Sequence, residues 1–307
     1  MTTGKNAKTP SPELVEKVAK LAALVGNTPV RKLHMGNDRY IYLKEEGKNP
    51  AGSIKDRPAL NMLLQAIREG HVMPDTVVAE STSGNTGVGV AWVCSELGLE
   101  YHNYSPASLS EQKQKLLREY GAKLYFSEGN TDQATEMLLA RMEEDPDAYF
   151  WTSQFTNDNN WKAHVEHTAP ELLRQVPDVN EIWVAFGSAG TSTGFAHALQ
   201  GSKIGLRVVQ NTLDRTKRIE GMRNLAWMTK PPIADLDLIG QENMFDTEPD
   251  TLLDIARQVY VENDGFVLGP TTAAILTQAI KSSAPTLAVV SPDNGDRYPD
   301  WEQNVMA

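Results

Sequence analysis

A lysine and two glycine-rich loops carry the chemistry open to this 307-residue chain. Lys55 sits in a Pro/Gly/Ser turn, Asn49-Pro50-Ala51-Gly52-Ser53-Ile54-Lys55-Asp56-Arg57, just ahead of a helical pattern. Alone, such a lysine is a solvated surface charge. Two loops follow it, each after an apolar run and each opening a helix. The first is Ser81-Thr82-Ser83-Gly84-Asn85-Thr86-Gly87. Its hydroxyls, its amide and its backbone N–H groups suit a carboxylate or phosphate at the positive end of a helix. An N-capped turn with spare hydroxyls would have the same composition. The second loop is Gly187-Ser188-Ala189-Gly190-Thr191-Ser192-Thr193-Gly194. Its glycines let the backbone approach an anion, and successive N–H groups form a nest. A lysine able to form a Schiff base, together with two anion-ready loops, points to a phosphate-bearing aldehyde cofactor.

Other patterns compete for the same residues. The second loop lacks the Gly-Lys-Ser/Thr of a Walker loop and the glycine spacing of a dinucleotide fingerprint. Gly190-Thr191-Ser192-Thr193-Gly194 does match a G-x-S-x-G nucleophile elbow. The only histidine after Ser192 is His197, on the next helical turn, so the elbow has no base in the expected chain order. His164 and His167 lie three apart on one helical pattern, with no third ligand to complete a metal site. They read as two polar helix histidines. Cys94, the one cysteine, lies in an apolar run and reads as a small core residue, and its solitude fits a reducing cytosol. A net charge of −11 argues against a nucleic-acid or anionic-membrane partner, though not against an anionic substrate. Residues 1–12 are polar, without an apolar signal core, and read as a flexible tail.

Positioning these loops needs alternating strands and helices. Ser11-Pro12-Glu13 reads as a helix start, with the helix running to about residue 24. Strands are expected over 40–44, 76–80, 101–104, 123–126, 149–152, 181–186, 206–210 and 286–290. Helices are expected over 58–69, 87–97, 110–120, 131–143, 160–175, up to 199, 252–263 and 272–282. Residues 211–251 read as an irregular segment. The alternation gives an α/β fold with largely parallel sheets. A break near residue 153 suggests two domains: a smaller, mobile one over 45–153, and a larger one over 13–44 plus 154–307 that would take the cofactor phosphate.

The loops together resemble the cysteine synthase family of pyridoxal-phosphate enzymes (fold type II, tryptophan synthase β-like), over about residues 26–298. Gly26-Asn27-Thr28-Pro29 is similar to the family's opening G-[NR]-T-P, and residues 49–57 to its N-P-x-G-S-[VI]-K-D-R. The resemblance extends through Thr82–Gly87, Gln154-Phe155, Gly187–Thr191 and Ser291-Pro292-Asp293-Asn294-Gly295-Asp296-Arg297-Tyr298. It implies two domains, each a twisted, mostly parallel sheet flanked by helices, with pyridoxal 5′-phosphate in the cleft between them. It implies that Lys55 carries the Schiff base and that Thr82, Ser83, Asn85, Thr86 and Gln154 bind the substrate. Asn85 would also meet the cofactor's 3′-oxygen. Gly187, Ser188, Ala189, Gly190 and Thr191 would hold the phosphate, and Thr271 the pyridine nitrogen.

The chain departs from the family pattern in places. Thr271 stands for the usual serine, within Gly269-Pro270-Thr271-Thr272-Ala273-Ala274. Ala189 stands for a glycine, which costs little if its φ stays negative. Asp158 replaces a proline. Gly221-Met222-Arg223-Asn224 replaces a glycine-rich stretch. Arg223 would pair with a phosphate leaving group, as in members that take O-phosphoserine, or lie on the surface. The implied reaction is β-replacement on an O-phospho- or O-acetyl-L-serine through an aminoacrylate, making L-cysteine from a sulfur nucleophile. An amine nucleophile, giving a 2,3-diaminopropionate-type product, and a non-catalytic cofactor-binding role stay open beside it. The expected partners are the amino-acid substrate, the nucleophile and a second copy in a cytoplasmic homodimer.

Overall fold

The computed structural model describes residues 8–307. The first elements are α1 (Pro12–Ala22), β1 (Val30–His34), β2 (Tyr40–Glu45), α2 (Asp56–Arg68), β3 (Val77–Ser81), α3 (Asn85–Leu97) and β4 (Tyr101–Pro106). Next come α4 (Glu111–Glu119), β5 (Lys123–Ser127), α5 (Thr131–Glu144), β6 (Tyr149–Trp151), α6 (Asn159–Ala163), α7 (Ala169–Gln175), β7 (Glu181–Ala185) and α8 (Gly190–Ala198). The last are β8 (Gly205–Gln210), α9 (Leu236–Ile239), β9 (Met244–Asp246), α10 (Leu252–Glu262), α11 (Pro270–Ala279), β10 (Leu287–Ser291) and α12 (Pro299–Met306). Of the tail expected over 1–12, residues 1–7 lie outside the described residues. The Lys8 amide donates to the Gly70 carbonyl at 3.2 Å. Ser11 caps α1 with its hydroxyl, and Pro12 takes the first turn, where its missing N–H is not needed.

Two compact units form. One joins the described residues up to 25 with Lys55–Asn160; the other joins Gly26–Ile54 with Trp161–Ala307. The first holds a four-stranded, wholly parallel sheet of order β5-β4-β3-β6. Helix α5 packs on this sheet through Ala134, Leu138 and Met142, against Ala79, Tyr104 and Tyr149. Helix α3 is apolar all round from Val88 to Cys94, with every residue of that stretch buried, and only Ser95 and Glu96 near its end are exposed. Such a stretch must be covered on every side, and α1, α2 and α4 pack around it.

The second unit holds a six-stranded sheet of order β1-β2-β10-β7-β8-β9, parallel except for the β1–β2 pair. Its central strands are apolar on both faces. Trp183 and Val289 join one core with α10 and α11, while their neighbours Ile182, Val184, Ala288 and Val290 join another with α7 and α8. This is the period-two alternation of a sheet covered on both sides.

The domain boundaries differ from those expected at 44/45 and 153/154. Leu14, Val18 and Leu21 bury the inner stripe of α1 in the first unit, where α1 packs on α2 and α3. Ile54 belongs to the core of the second, so the chain changes unit between Ile54 and Lys55. Strand β1 was not expected: Val30-Arg31-Lys32-Leu33-His34 buries only Leu33. The irregular segment holds β9, three residues paired to β8. The helix expected over 160–175 is continuous but widens to a π turn over His164–Thr168, where the Ala169 amide donates to the His164 carbonyl. Pro170 explains the widening, since it has no N–H for the carbonyl four residues back.

Candidate active site

In the first unit, Lys55 is the N-cap residue of α2, half-buried, with its carbonyl accepting from the Ala59 amide at 3.0 Å. The first loop reaches it through helix packing. A Cβ placed on Gly89 would fall 3.1 Å from the Lys55 carbonyl carbon and oxygen. That is tighter than most Cβ contacts, so glycine lets α3 lie this close without displacing Lys55, and Gly89 is one turn beyond Asn85 and Thr86. Thr82 accepts the Gly84 amide on its hydroxyl at 3.2 Å, and Gly84 caps α3. Asn103 supports the loop from β4 by donating to the Thr82 carbonyl at 3.3 Å. A Cβ on Gly87 would clash with the Asn103 amide oxygen. Ser83 and Asn85 are partly exposed. Thr86 donates to the Gln154 Oε1 at 2.7 Å. Gln154 is therefore joined to the loop across 68 positions of sequence, and its Nε2 end is a donor suited to a carboxylate.

In the second unit, Gly187–Thr191 crosses from β7 into α8, whose first turn offers backbone N–H groups at the positive end of a nine-residue helix. A Cβ on Gly187 would lie 2.7 Å from the Gly221 carbonyl oxygen, so this position admits no side chain. Ala189 caps the helix at φ +73°, in the left-handed region. The condition for a low cost, a negative φ, is therefore not met, and an L-residue there carries strain of about 1–2 kcal/mol. The helix start and the close glycine approach together fit a phosphate. Ser188 and Thr191 flank the turn with hydroxyls. The Arg223 amide donates to the Phe186 carbonyl at 2.8 Å, immediately before Gly187. Arg223 is half-buried rather than fully exposed. Thr271 enters α11 at its second residue and its hydroxyl lies 3.4 Å from the Glu220 carbonyl, a long bond whose single proton can turn instead to a ring nitrogen.

The competing motifs find other partners. Ser192 is fully buried and donates to the Ala189 carbonyl at 3.1 Å, unlike the exposed serine of a nucleophile elbow. His164 is buried with Nδ1 2.9 Å from the Thr168 hydroxyl and Nε2 3.4 Å from that of Thr191. His167 is exposed on the same turn. His197 stacks on Trp161 and lies 3.3 Å from Asp235. Cys94 is fully buried, and burial pushes its thiol pKa far up, away from the thiolate.

Two distant motifs meet in the second unit. The Ile54 amide donates to the Pro292 carbonyl at 2.8 Å, and Arg297 donates to the Ala51 carbonyl. Gly52, at φ +83°, leaves room for that guanidinium. The closing motif thus braces the turn that leads to Lys55. Gly89, Asn103 and Glu80 escaped sequence reasoning. A glycine inside an apolar helix was the available sign for Gly89; the other two depend on tertiary neighbours.

The chain matches the family described as "Pyridoxal-phosphate dependent enzyme" over residues 21–290. It is 30% identical to a cysteine synthase of Aquifex aeolicus over 293 residues, covering 90% of this chain and 89% of that protein. The structure resembles a hydrogen sulfide-producing enzyme from Fusobacterium nucleatum with a TM-score of 0.82 at 29% identity, covering 91% and 98% of the two chains. It also resembles O-ureido-L-serine synthase with a TM-score of 0.79 at 26% identity, covering 91% and 92%.

Proposed function

Because this chain belongs to the pyridoxal-phosphate dependent enzyme family, we propose that it catalyses β-replacement on an O-activated L-serine and makes L-cysteine from a sulfur nucleophile. The observation that carries this reading is the packing of α3 on Lys55 at Gly89, which sets the lysine beside the Thr82–Gly87 loop within one unit.

When bound, pyridoxal 5′-phosphate supplies an aldehyde that condenses with amines and a ring that takes up electron density from Cα. Lys55 Nζ would hold the aldehyde carbon, Gly187–Thr191 the phosphate, Asn85 the 3′-oxygen and Thr271 the ring nitrogen. A neutral hydroxyl at that nitrogen leaves the ring less electron-withdrawing than an aspartate would, which suits loss of a group from Cβ. Thr82, Ser83, Thr86 and the Gln154 amide would bind the substrate carboxylate and orient Cα. Lys55 Nζ would also be the base that takes the Cα proton and later returns it. Arg223, with its amide bonded beside the phosphate loop, suits an anionic leaving group such as the phosphate of O-phospho-L-serine. A second reading, with a nucleophile other than sulfide, is favoured by the likeness to O-ureido-L-serine synthase.

The test is an absorbance scan of the purified protein while O-phospho-L-serine, then O-acetyl-L-serine, is added. A visible resting band that shifts with O-phosphoserine, but not in an Arg223→Ala variant, is expected. A shift with O-acetylserine alone removes the role of Arg223. A wild-type protein that shows no visible band after incubation with the cofactor overturns the reading.

A further inference from the structure

The first unit holds a buried carboxylate that the scheme above does not use. Glu80 is the penultimate residue of β3, next to the loop, and is 1% exposed. Its Oε1 accepts from the Ser81 amide at 2.9 Å and from Trp151 Nε1 at 3.2 Å. Its Oε2 accepts from the Thr152 hydroxyl at 2.5 Å and from the Gln154 backbone amide at 3.1 Å. Three of these partners are N–H groups that can only donate, and the Thr152 hydroxyl, also 3.4 Å from the Ala79 carbonyl, can donate as well, so an acceptor-only carboxylate satisfies them all. Burial pushes the Glu80 pKa up, and the four donors offset this only in part.

A buried carboxylate is expensive and survives where its bonds hold something in place. Joining β3 to β6 does not require it. The ladder already pairs Ala79 with Trp151, and the Thr152 amide donates to the Ala79 carbonyl at 3.0 Å. The bonds of Oε2 fall beyond the ladder, on Thr152 and Gln154. Between those two lies Ser153, at φ +47°. An L-residue takes that conformation only where its surroundings over-determine it. On the far side, Asn160 donates to the Gln154 carbonyl at 2.7 Å, and Asn157 donates to that of Thr152 at 3.1 Å. The Gln154 side chain then meets Thr86 at 2.7 Å. The bonds run Ser81–Glu80–Gln154–Thr86 and close a ring around the loop.

We propose that Glu80 is a positioning residue that holds the strained Ser153 turn and so sets Gln154 against Thr86 to receive the substrate carboxylate. This rests on the reading of that loop as the carboxylate site. Glu80→Gln keeps the shape but turns an NH2 group toward donors, so the turn should loosen. Hydrogen exchange over residues 151–157 of the holoenzyme should quicken at least tenfold relative to β4. The KM for the amino-acid substrate should rise about tenfold or more, with the resting visible band unchanged. Thr152→Val, which removes one donor and no charge, should move both readouts the same way by less, and it serves if Glu80→Gln does not fold. Unchanged exchange and KM in the folded variant overturn the proposal. Faster exchange with KM unchanged also overturns it, since Glu80 would then hold the turn without serving the site. A wild-type protein that forms no visible band defeats the functional reading instead, and the exchange measurement still reports whether Glu80 holds the turn.

Discussion

Gly89 and Lys55 are in backbone contact: a Cβ on Gly89 would stand 3.1 Å from the Lys55 carbonyl. Gly89→Ala sets two effects against each other. Alanine gains about 1 kcal/mol over glycine inside a helix, while overpacking costs about 1–3 kcal/mol. The net should be a loss of roughly 0–2 kcal/mol by urea denaturation. Activity should suffer more than stability, because Lys55 is displaced by tenths of an ångström from its working position. A fall in kcat/KM of about tenfold is expected; an unchanged value would mean that the contact does not set the lysine.

Ala189 at φ +73° gives the reverse case. Glycine there removes about 1–2 kcal/mol of left-handed strain and gives back about 0.4–1 kcal/mol through its freer unfolded chain. Ala189→Gly should therefore stabilise the protein by roughly 0.5–1 kcal/mol. Denaturant midpoints with matched slopes check this, and destabilisation would place the residue outside the left-handed region in solution.

The same residue shows where sequence reasoning stops. Glycine-rich runs after apolar ones announced the turns at Thr82–Gly87 and Gly187–Thr191, because a tight strand-to-helix turn imposes composition on a local segment. The sign of φ at Ala189 is not a compositional fact, since it is set by how the chain leaves β7 for α8. Strand β1 stayed hidden because an edge strand with one buried residue has no apolar alternation to read. Glu80 looked like one more carboxylate among forty acidic residues. Its partners Trp151, Thr152 and Gln154 lie more than seventy positions away, and no window of sequence shows them together.

His102 on β4 should make stability depend on pH. Its ring is buried beside Tyr125 and Tyr149, with Nε2 2.6 Å from Glu100. Burial lowers its pKa, and the hydrogen bond to Glu100 offsets this only in part. The unfolded chain then binds more protons near the ordinary value of 6.5. The stability contributed is present above that value and is lost as pH falls below it. Urea midpoints between about pH 7.5 and 5.5 should fall more in the wild type than in His102→Phe. Parallel pH profiles for the two proteins would refute the assignment.

Lys44 supplies the sharpest energetic test. Its ammonium is fully buried in the second unit, paired with Glu171 and donating to the Thr28 carbonyl at 2.5 Å and to Gln175 Oε1 at 2.8 Å. Thr28 donates in turn to Glu46 at 2.7 Å, Asn49 to Glu46 at 2.8 Å, and the Gly26 amide to Asn49 at 2.9 Å. The buried pair thus anchors the opening motif and the turn that leads to Lys55. Removing one partner strands a charge, so Lys44→Met should cost about 3–5 kcal/mol. Gln175 Nε2 already donates to the Thr28 carbonyl at 2.9 Å, which leaves that acceptor satisfied. The loss therefore falls on Glu171, and Lys44→Met/Glu171→Leu should recover most of it, to within about 2 kcal/mol of the wild type. A double variant no more stable than Lys44→Met would show that the ammonium matters for its carbonyl and amide contacts rather than for the carboxylate.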